Sequence, residues 1–379
     1  MLRISTYLKE LIHPTPLTPP RPPTGPVVIW NLIRRCNLTC KHCYSISADK
    51  PFAGELSTAE IFSVMADLKA FGVKVLILSG GEPLLHPDIF TISQHAKTLG
   101  FYVGLSTNGT LIDETNINNI TKIHYDYVGI SLDGIGNTHD AFRRQPGAFA
   151  KSLRAIRLCQ ANGIKVGIRF TLTKDNENEF TRMLQLVEEE NIDKFYLSHL
   201  NYAGRGNANR KDDVIHQMTR QAMDTLFETC WQQIEAGLPR ELVTGNNDAD
   251  GVYLLFWVKQ HFPEQVAHIY TKLTQWGGNS SGVNVANIDN VGQVHPDTFW
   301  WNYSLGNVTA RSFSEIWTDT SDPLMAGLKQ RPRPLKGRCA RCRYQNICGG
   351  NTRVRAYQLT GDFWAEDPAC YLLDKEIGI

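Results

Sequence analysis

The sequence predicts an α/β protein in which parallel strands alternate with helices. Three observations predict it. First, six β-branched or aliphatic runs recur: VVIWNLI (27–33), VKVLILS (73–79), FYVGLST (101–107), YDYVGISLD (125–133), IKVGIRFTLT (164–173) and DKFYLSH (193–199). Second, helical spacing fills the segments between them, as in TAEIFSVMADLKAF (58–71) and ENEFTRMLQLVEEEN (177–191). A strand–helix repeat of roughly thirty residues is that of βαβ units. Third, polar or glycine-rich motifs follow five of the six runs. Six units are too few for a closed eight-stranded barrel, which leaves a partial barrel or an open doubly wound sheet.

The elements follow in order along the 379 residues. Residues 1–26, MLRISTYLKELIHPTPLTPPRPPTGP, read as a short amphipathic helix and a proline-rich extended arm. They lack the apolar core and cleavage site of a signal peptide. RCNLTCKHCY (35–44) follows the first run, SGGEP (79–83) the second, STNG (106–109) the third, SLDG (131–134) the fourth and HLNYAGRG (199–206) the sixth. In both candidate architectures the carboxyl ends of the strands face the active site, so these loops converge on one side. A long helix near 213–237 closes the main domain, expected over 27–237. Residues 238–300 are rich in Gly, Asn, Asp and Trp and carry no clear period. We assign 238–275 as a connecting segment and 276–379 as a smaller second domain, entered in part through the linker RPRPLKGRC.

Composition narrows the function. Lys+Arg minus Asp+Glu is 39 − 38 = +1, which disfavours nonspecific grip on nucleic acid or an acidic membrane. No run approaches eighteen apolar residues, and a cytoplasmic protein is expected. Of the nine cysteines, seven fall in two clusters. An odd number without a secretion signal disfavours a disulfide framework and favours metal ligands or redox groups. Cys159 and Cys230 lie within helical patterns and read as buried structural thiols.

Cys36, Cys40 and Cys43 form C-x3-C-x2-C. A structural zinc site uses four ligands and closes itself off. Three thiolates suit an iron–sulfur cube with one iron left open, although His42 is a possible fourth zinc ligand. Gly80 and Gly81 allow close backbone approach. Glu82 and the neighbouring carbonyls are candidate acceptors for an ammonium group. Arg169 inside an apolar strand needs a partner, either a ligand carboxylate or a core aspartate. Asn108 and Ser131 stand at strand ends, where they bind a ligand or cap turns. Asp133 caps the next helix or lies near the substrate, and capping is the simpler reading. His42 and Tyr44 are either ligand-facing or loop surface.

C-x3-C-x2-C after the first strand, with GGEP after the second, resembles the radical S-adenosylmethionine (SAM) superfamily over residues 27 to about 235. The resemblance implies a partial (β/α)6 barrel. It implies a [4Fe–4S] cluster on Cys36, Cys40 and Cys43, with SAM on the fourth iron. It also implies that Gly80, Gly81, Glu82, Asn108, Ser131 and Arg169 bind SAM.

The tail carries Cys339, Cys342, Cys348 and Cys370. Spacing alone leaves zinc and iron–sulfur equal. The tail is similar to the SPASM extension of radical SAM enzymes, which usually holds two auxiliary clusters. Here Thr352 and the stretch after Gly292 lack the cysteines of one of them. The resemblance therefore implies one auxiliary [4Fe–4S] cluster, two clusters in all. His295 and Asp297 remain minor ligand candidates.

VTGNNDADGVY (243–253) and SGVNVANIDNVGQVHPDTFWW (281–301) resemble the radical SAM enzymes of heme d1 biosynthesis. That resemblance implies a tetrapyrrole substrate, 12,18-didecarboxysiroheme. A 5′-deoxyadenosyl radical would remove its propionate side chains on the way to oxo groups. An external electron donor such as a flavodoxin or ferredoxin is implied, and no nucleic acid or membrane partner. Trp276, Trp300, Trp301, Tyr202, Arg205, Arg353 and Arg355 are of types that hold such a substrate, since Arg bonds carboxylates bidentately. His199 is a candidate axial ligand. The alternatives are a peptide-modifying SPASM enzyme, a heme-synthesis relative that removes acetate groups, and an electron carrier or zinc scaffold.

Overall fold

The computed structural model describes residues 1–17, 25–238 and 240–379. Residues 18–24 of the expected proline-rich arm lie outside the described residues. All six expected strands form: β1 (Val27–Asn31), β2 (Val75–Ser79), β3 (Tyr102–Thr107), β4 (Tyr127–Ser131), β5 (Val166–Leu172) and β6 (Lys194–His199). Each lies parallel to its successor. β7 (Glu241–Gly245) extends the row beyond β6. On the other side, β8 (Val285–Ile288) pairs in parallel with β1, and β9 (Gln293–His295) and β10 (Gly306–Asn307) continue antiparallel.

The order is β10-β9-β8-β1-β2-β3-β4-β5-β6-β7. From β1 to β7 it never reverses. A doubly wound sheet reverses at its crevice, so this is a barrel left open. β7 lies beyond residue 237 and β8 beyond residue 275, and both pair into this one sheet.

Alternation along the strands decides which side is core. Val28, Trp30, Leu78, Leu105, Ile130 and Ile168 are fully buried on one side. Helices supply the opposing apolar faces. Thr58–Ala70 buries Ile61, Val64, Met65 and Leu68, one stripe at helical spacing, and Ser57 with Glu60 forms its capping box. Phe180–Glu189 buries Phe180, Met183, Leu184 and Val187 in the same way. The other side of the sheet carries Asn31, Ser79, Ser106, Arg169, Tyr196 and Ser198. The open barrel is thus apolar outward, under helices, and polar inward.

The chain start covers the β7 edge. Leu2 exchanges both backbone bonds with Thr244, and Leu2, Ile4 and Leu8 are buried. This protects a strand edge that would otherwise invite pairing. Cys159 and Cys230 are buried within helices, as expected of structural thiols. Among the described residues no helix is long and apolar enough to cross a membrane.

Candidate active site

The cysteine loop sits at the carboxyl end of β1, clasped from three directions. From β2, Gly81 N–H donates to the Ile33 carbonyl (2.6 Å) and Glu82 N–H to the Arg35 carbonyl (2.9 Å). A Cβ on Gly80 would lie 2.5 Å from the Ile33 oxygen, and one on Gly81 2.3 Å from the Arg35 oxygen. The close approach these glycines permit is therefore to the cysteine loop itself. From β6, Arg205 Nε donates to the Cys40 carbonyl (2.7 Å) and Nη1 to the Ser47 carbonyl (3.0 Å). Asn209 Nδ2 donates to the Lys41 carbonyl (2.7 Å). From the segment after β4, the Phe142 carbonyl accepts from Lys41 N–H (3.1 Å).

Cys36 and Cys40 are buried, and Cys43 is half-buried against them. Burial pushes the Cys36 thiol well up, and the Glu82, Cys40 and Cys43 charges add to this. Burial likewise raises Cys40, against the pull of Arg143. Each sulfur also has a polar neighbour. Asn108 Nδ2 lies 3.9 Å from Cys36 Sγ, Arg143 Nη1 3.5 Å from Cys40 Sγ and Ser45 Oγ 3.4 Å from Cys43 Sγ.

Glu82 is fully buried and ties β2 to β3. Its carboxylate accepts from Thr107 Oγ1 (2.7 Å), Asn108 N–H (2.8 Å) and Leu84 N–H (3.2 Å). Burial raises its pKa to about 7 despite these bonds. Asn108 also donates to Asn37 Oδ1 (2.9 Å), which binds the β3 end to the cysteine loop. Arg169 crosses the inner face to Ser106, and Ser131 is its register partner on β4. Gly129 lies beneath that crossing, where a Cβ would stand 2.9 Å from Arg169 Nε.

Asp133 does not cap a helix, because Gly136 occupies the N-cap of Asn137–Arg143. It is instead fully buried, paired with Arg143 and accepting from Thr171 N–H (2.7 Å). His42 is half-buried and packs on Phe142 with ring centres 4.7 Å apart. The Tyr44 hydroxyl accepts from Asn31 Nδ2 (2.7 Å), and Asn31 accepts in turn from Asn287 Nδ2 (2.7 Å). Sequence reasoning passed over Asn31, Asn287 and Arg143. The first two are polar positions on the inner side of otherwise apolar strands, and strand alternation was the signal that marks them.

The second cysteine set also assembles. Burial pushes the Cys348 thiol well up, and the nearby charges of Asp248, Cys370, Cys339 and Cys342 add to this, which places the four tail cysteines near one another. Arg338 Nη1 donates to Cys370 Sγ (3.0 Å). Thr352, at the place of an expected further cysteine, donates to the Asn246 carbonyl (3.1 Å). His295 bonds the Tyr303 carbonyl through Nδ1 (2.8 Å), and Asp297 accepts from Ser281 Oγ (2.6 Å).

Among the described residues, no three His, Cys, Asp or Glu side chains converge on a single-ion site. An iron–sulfur cube asks for something else, since each thiolate binds a different iron and the ligands surround a volume. Two buried thiols and one half-buried thiol on the loop after β1, each with a donor or hydroxyl alongside, fit that requirement.

Most of the proposed substrate-binding types are committed elsewhere. Arg355 is fully buried and forks onto Asp367 (3.0 and 2.9 Å). Arg353 donates to the Ala365 carbonyl (2.6 Å), and Trp300 packs between Tyr303, Tyr357 and Phe363. Trp276 packs over Gly251. Tyr202 bonds Asp213 (3.0 Å). His199 is 3.0 Å from Asp250 through Nε2 and borders a cavity of about 190 Å³. Two of them stand beside the cysteine loop: Arg205, already spent on its carbonyls, and Trp301, edge-on to Tyr44 at 6.0 Å, with Phe299 also edge-on to Tyr44 at 5.6 Å.

An open parallel barrel with three thiols on the loop after β1, locked to a GGEP turn after β2, defines a radical SAM enzyme. The chain belongs to the radical SAM superfamily, whose family model matches residues 30–187. It is 55% identical over 380 residues to the pre-heme d1 synthase of Dinoroseobacter shibae, covering 100% of this chain and 94% of that relative. It is 45% identical over 356 residues to the Fe-coproporphyrin III synthase of Methanosarcina barkeri, covering 93% of this chain and 89% of the relative. The crystal structure of Streptococcus suis SuiB bound to S-adenosylmethionine shares the fold, with TM-score 0.71, 17% identity and coverage of 92% and 78% of the two chains. Membership implies a [4Fe–4S] cluster and SAM as cofactors.

Proposed function

We propose that this chain is a radical SAM enzyme of heme d1 biosynthesis that removes propionate side chains from didecarboxysiroheme on the way to oxo groups. The 55% identity along the whole chain to a pre-heme d1 synthase carries the reading. In it, Cys36, Cys40 and Cys43 hold the SAM-binding cluster, and Cys339, Cys342, Cys348 and Cys370 hold a second [4Fe–4S] cluster. Bound together, the first cluster and SAM supply the 5′-deoxyadenosyl radical that abstracts a hydrogen atom. An external low-potential protein donor provides the electron.

The chain's own residues then have distinct tasks. Gly80, Gly81 and the Glu82 backbone seat the amino end of SAM beside the cysteine loop they already bind. Arg169, half-buried on the polar inner face, is the cation for a SAM carboxylate, with Ser131 next to it in register. Asn108 positions the loop from β3. Trp301, Phe299 and Tyr44 give the mouth an aromatic rim suited to a flat macrocycle. The division into 1–26, 27–237, 238–275 and 276–379 belongs to the same reading.

A second reading is removal of acetate groups, favoured by the 45% identity to an Fe-coproporphyrin III synthase. One anaerobic experiment separates them. The reconstituted protein is given reductant, SAM and didecarboxysiroheme, and 5′-deoxyadenosine is followed with tetrapyrrole mass. Loss of propionate-derived mass is expected. Loss of acetate-derived mass selects the second reading. An unchanged tetrapyrrole with 5′-deoxyadenosine formed overturns both and turns the search to peptides.

A further inference from the structure

We infer that Arg143 sets the reduction potential of the cluster on Cys36, Cys40 and Cys43, with Asp133 as its counterweight. The inference rests on the ligand assignment above. Of the three side chains whose polar atoms approach the thiol sulfurs, Asn108, Ser45 and Arg143, only Arg143 is a cation. It is 6% exposed, and its Nη1 is 3.5 Å from Cys40 Sγ. Its Nη2 bonds Asp133, whose side chain is fully buried. Its Nε is buried without a partner among the described residues. The guanidinium is thus spent on one sulfur and one carboxylate, with little solvent to screen it.

Folding alone is a poor account of this arrangement. A buried ion pair is weak support for stability, because its desolvation cost is comparable to its attraction. A buried N–H left unpaired costs more again. The placement does have a redox consequence. Hydrogen bonds to cluster sulfurs and the net charge nearby are levers on iron–sulfur potential. One-electron reduction by the external donor adds one negative charge to the site. A cation in a medium of low dielectric stabilises that charge and raises the potential. Asp133 opposes it. Its other oxygen is fixed by Thr171 N–H (2.7 Å), and its own N–H donates to His139 Nδ1 (2.9 Å), so it cannot swing away.

The test is an EPR-monitored redox titration of the reconstituted full chain. The relevant signal is the one that changes on adding SAM. Arg143→Gln is expected to shift its midpoint downward. Asp133→Asn is expected to shift it upward, since the guanidinium loses its neutralising partner. Arg143→Lys, which keeps the charge without the fork, should fall between native and Arg143→Gln. Opposite signs separate tuning from general damage, which would move both variants alike. Equal shifts, or none with the signal intact, overturn the inference. If Arg143→Gln fails to hold the cluster, Asp133→Asn decides by itself, and an unchanged or lowered midpoint overturns it. A SAM-responsive signal that survives replacement of Cys36, Cys40 and Cys43 by Ala overturns the ligand assignment instead, and this inference with it.

Discussion

Arg205 Nε donates to the backbone carbonyl of Cys40 across 2.7 Å, although the two residues are 165 positions apart. The loop after the sixth strand thereby holds the loop after the first. Gly204 makes the contact possible, since a Cβ there would lie 2.6 Å from the Cys43 oxygen and 2.4 Å from that of Tyr44. Its φ of +52° also favours glycine. Arg205→Ala removes bonds from a charged donor, each worth about 1.5–3 kcal/mol. It should lower cluster retention on the first cysteine set and leave the tail set loaded. Iron content with the SAM-responsive EPR signal checks this, and Gly204→Ala should act the same way.

Gly129 offers a test of Arg169 that leaves Arg169 in place. Gly129→Ala puts a Cβ 2.9 Å from Arg169 Nε and 2.9 Å from Tyr127 Cε1. Overpacking of this kind costs about 1–3 kcal/mol. The guanidinium should be displaced from the inner face, raising KM for SAM roughly tenfold, as expected for loss of about 1.4 kcal/mol of binding. Steady-state 5′-deoxyadenosine formation measures it. An unchanged KM removes Arg169 from the SAM site.

Arg355 and Asp367 predict the opposite behaviour, loss of structure rather than affinity. Arg355 also donates to the Leu200 carbonyl (3.2 Å) and the Asn246 carbonyl (2.6 Å), which joins the tail to the loops after β6 and β7. Breaking a buried pair by removing one partner costs about 3–5 kcal/mol. Asp367→Ala should lower the unfolding midpoint and lose iron from the tail cysteines first. Denaturant unfolding beside iron analysis reads both.

The two cysteine sets should load independently. Replacing Cys36, Cys40 and Cys43 with Ala should remove about half the iron, as two Cys-ligated cubes require, and abolish SAM cleavage. Replacing the four tail cysteines should remove the other half. Full iron retention in either variant excludes that set as ligands.

Glu10, near the chain start, is one source of acid sensitivity. Burial pushes the Glu10 carboxyl up, but bonds from Thr15, His268 and Lys272 outweigh it and bring the pKa down to about 2. A depressed carboxylate stabilises the fold above its unfolded value, near 4.5, and loses that contribution as pH falls toward 2. Glu10→Gln should therefore cost about 1 kcal/mol at neutral pH, allowing for solvent screening. The difference from native protein should vanish by about pH 2. Melting curves across that range measure it.

Much of the barrel was readable because its signals are local. The six runs became β1 to β6, since β-branched residues between polar turns specify strands without distant help. β7 and β8 were missed because ELVTG and VANI sit in a stretch with no period around them. They exist as strands only because β6 and β1 present open edges to pair with. Arg353 and Arg355 looked like substrate cations for the same reason, since a sequence shows a charge but not its neighbour.

By itself the sequence determined the thiol spacing, the GGEP turn and the alternation that makes strands, all of which act within a few residues. Tertiary structure decided what those residues face. It set Gly80 and Gly81 against the cysteine loop, turned Asp133 from a helix cap into the partner of Arg143, and drew four tail cysteines into one locus. Contacts across a hundred residues depend on how every intervening strand packs, and no local pattern encodes that sum.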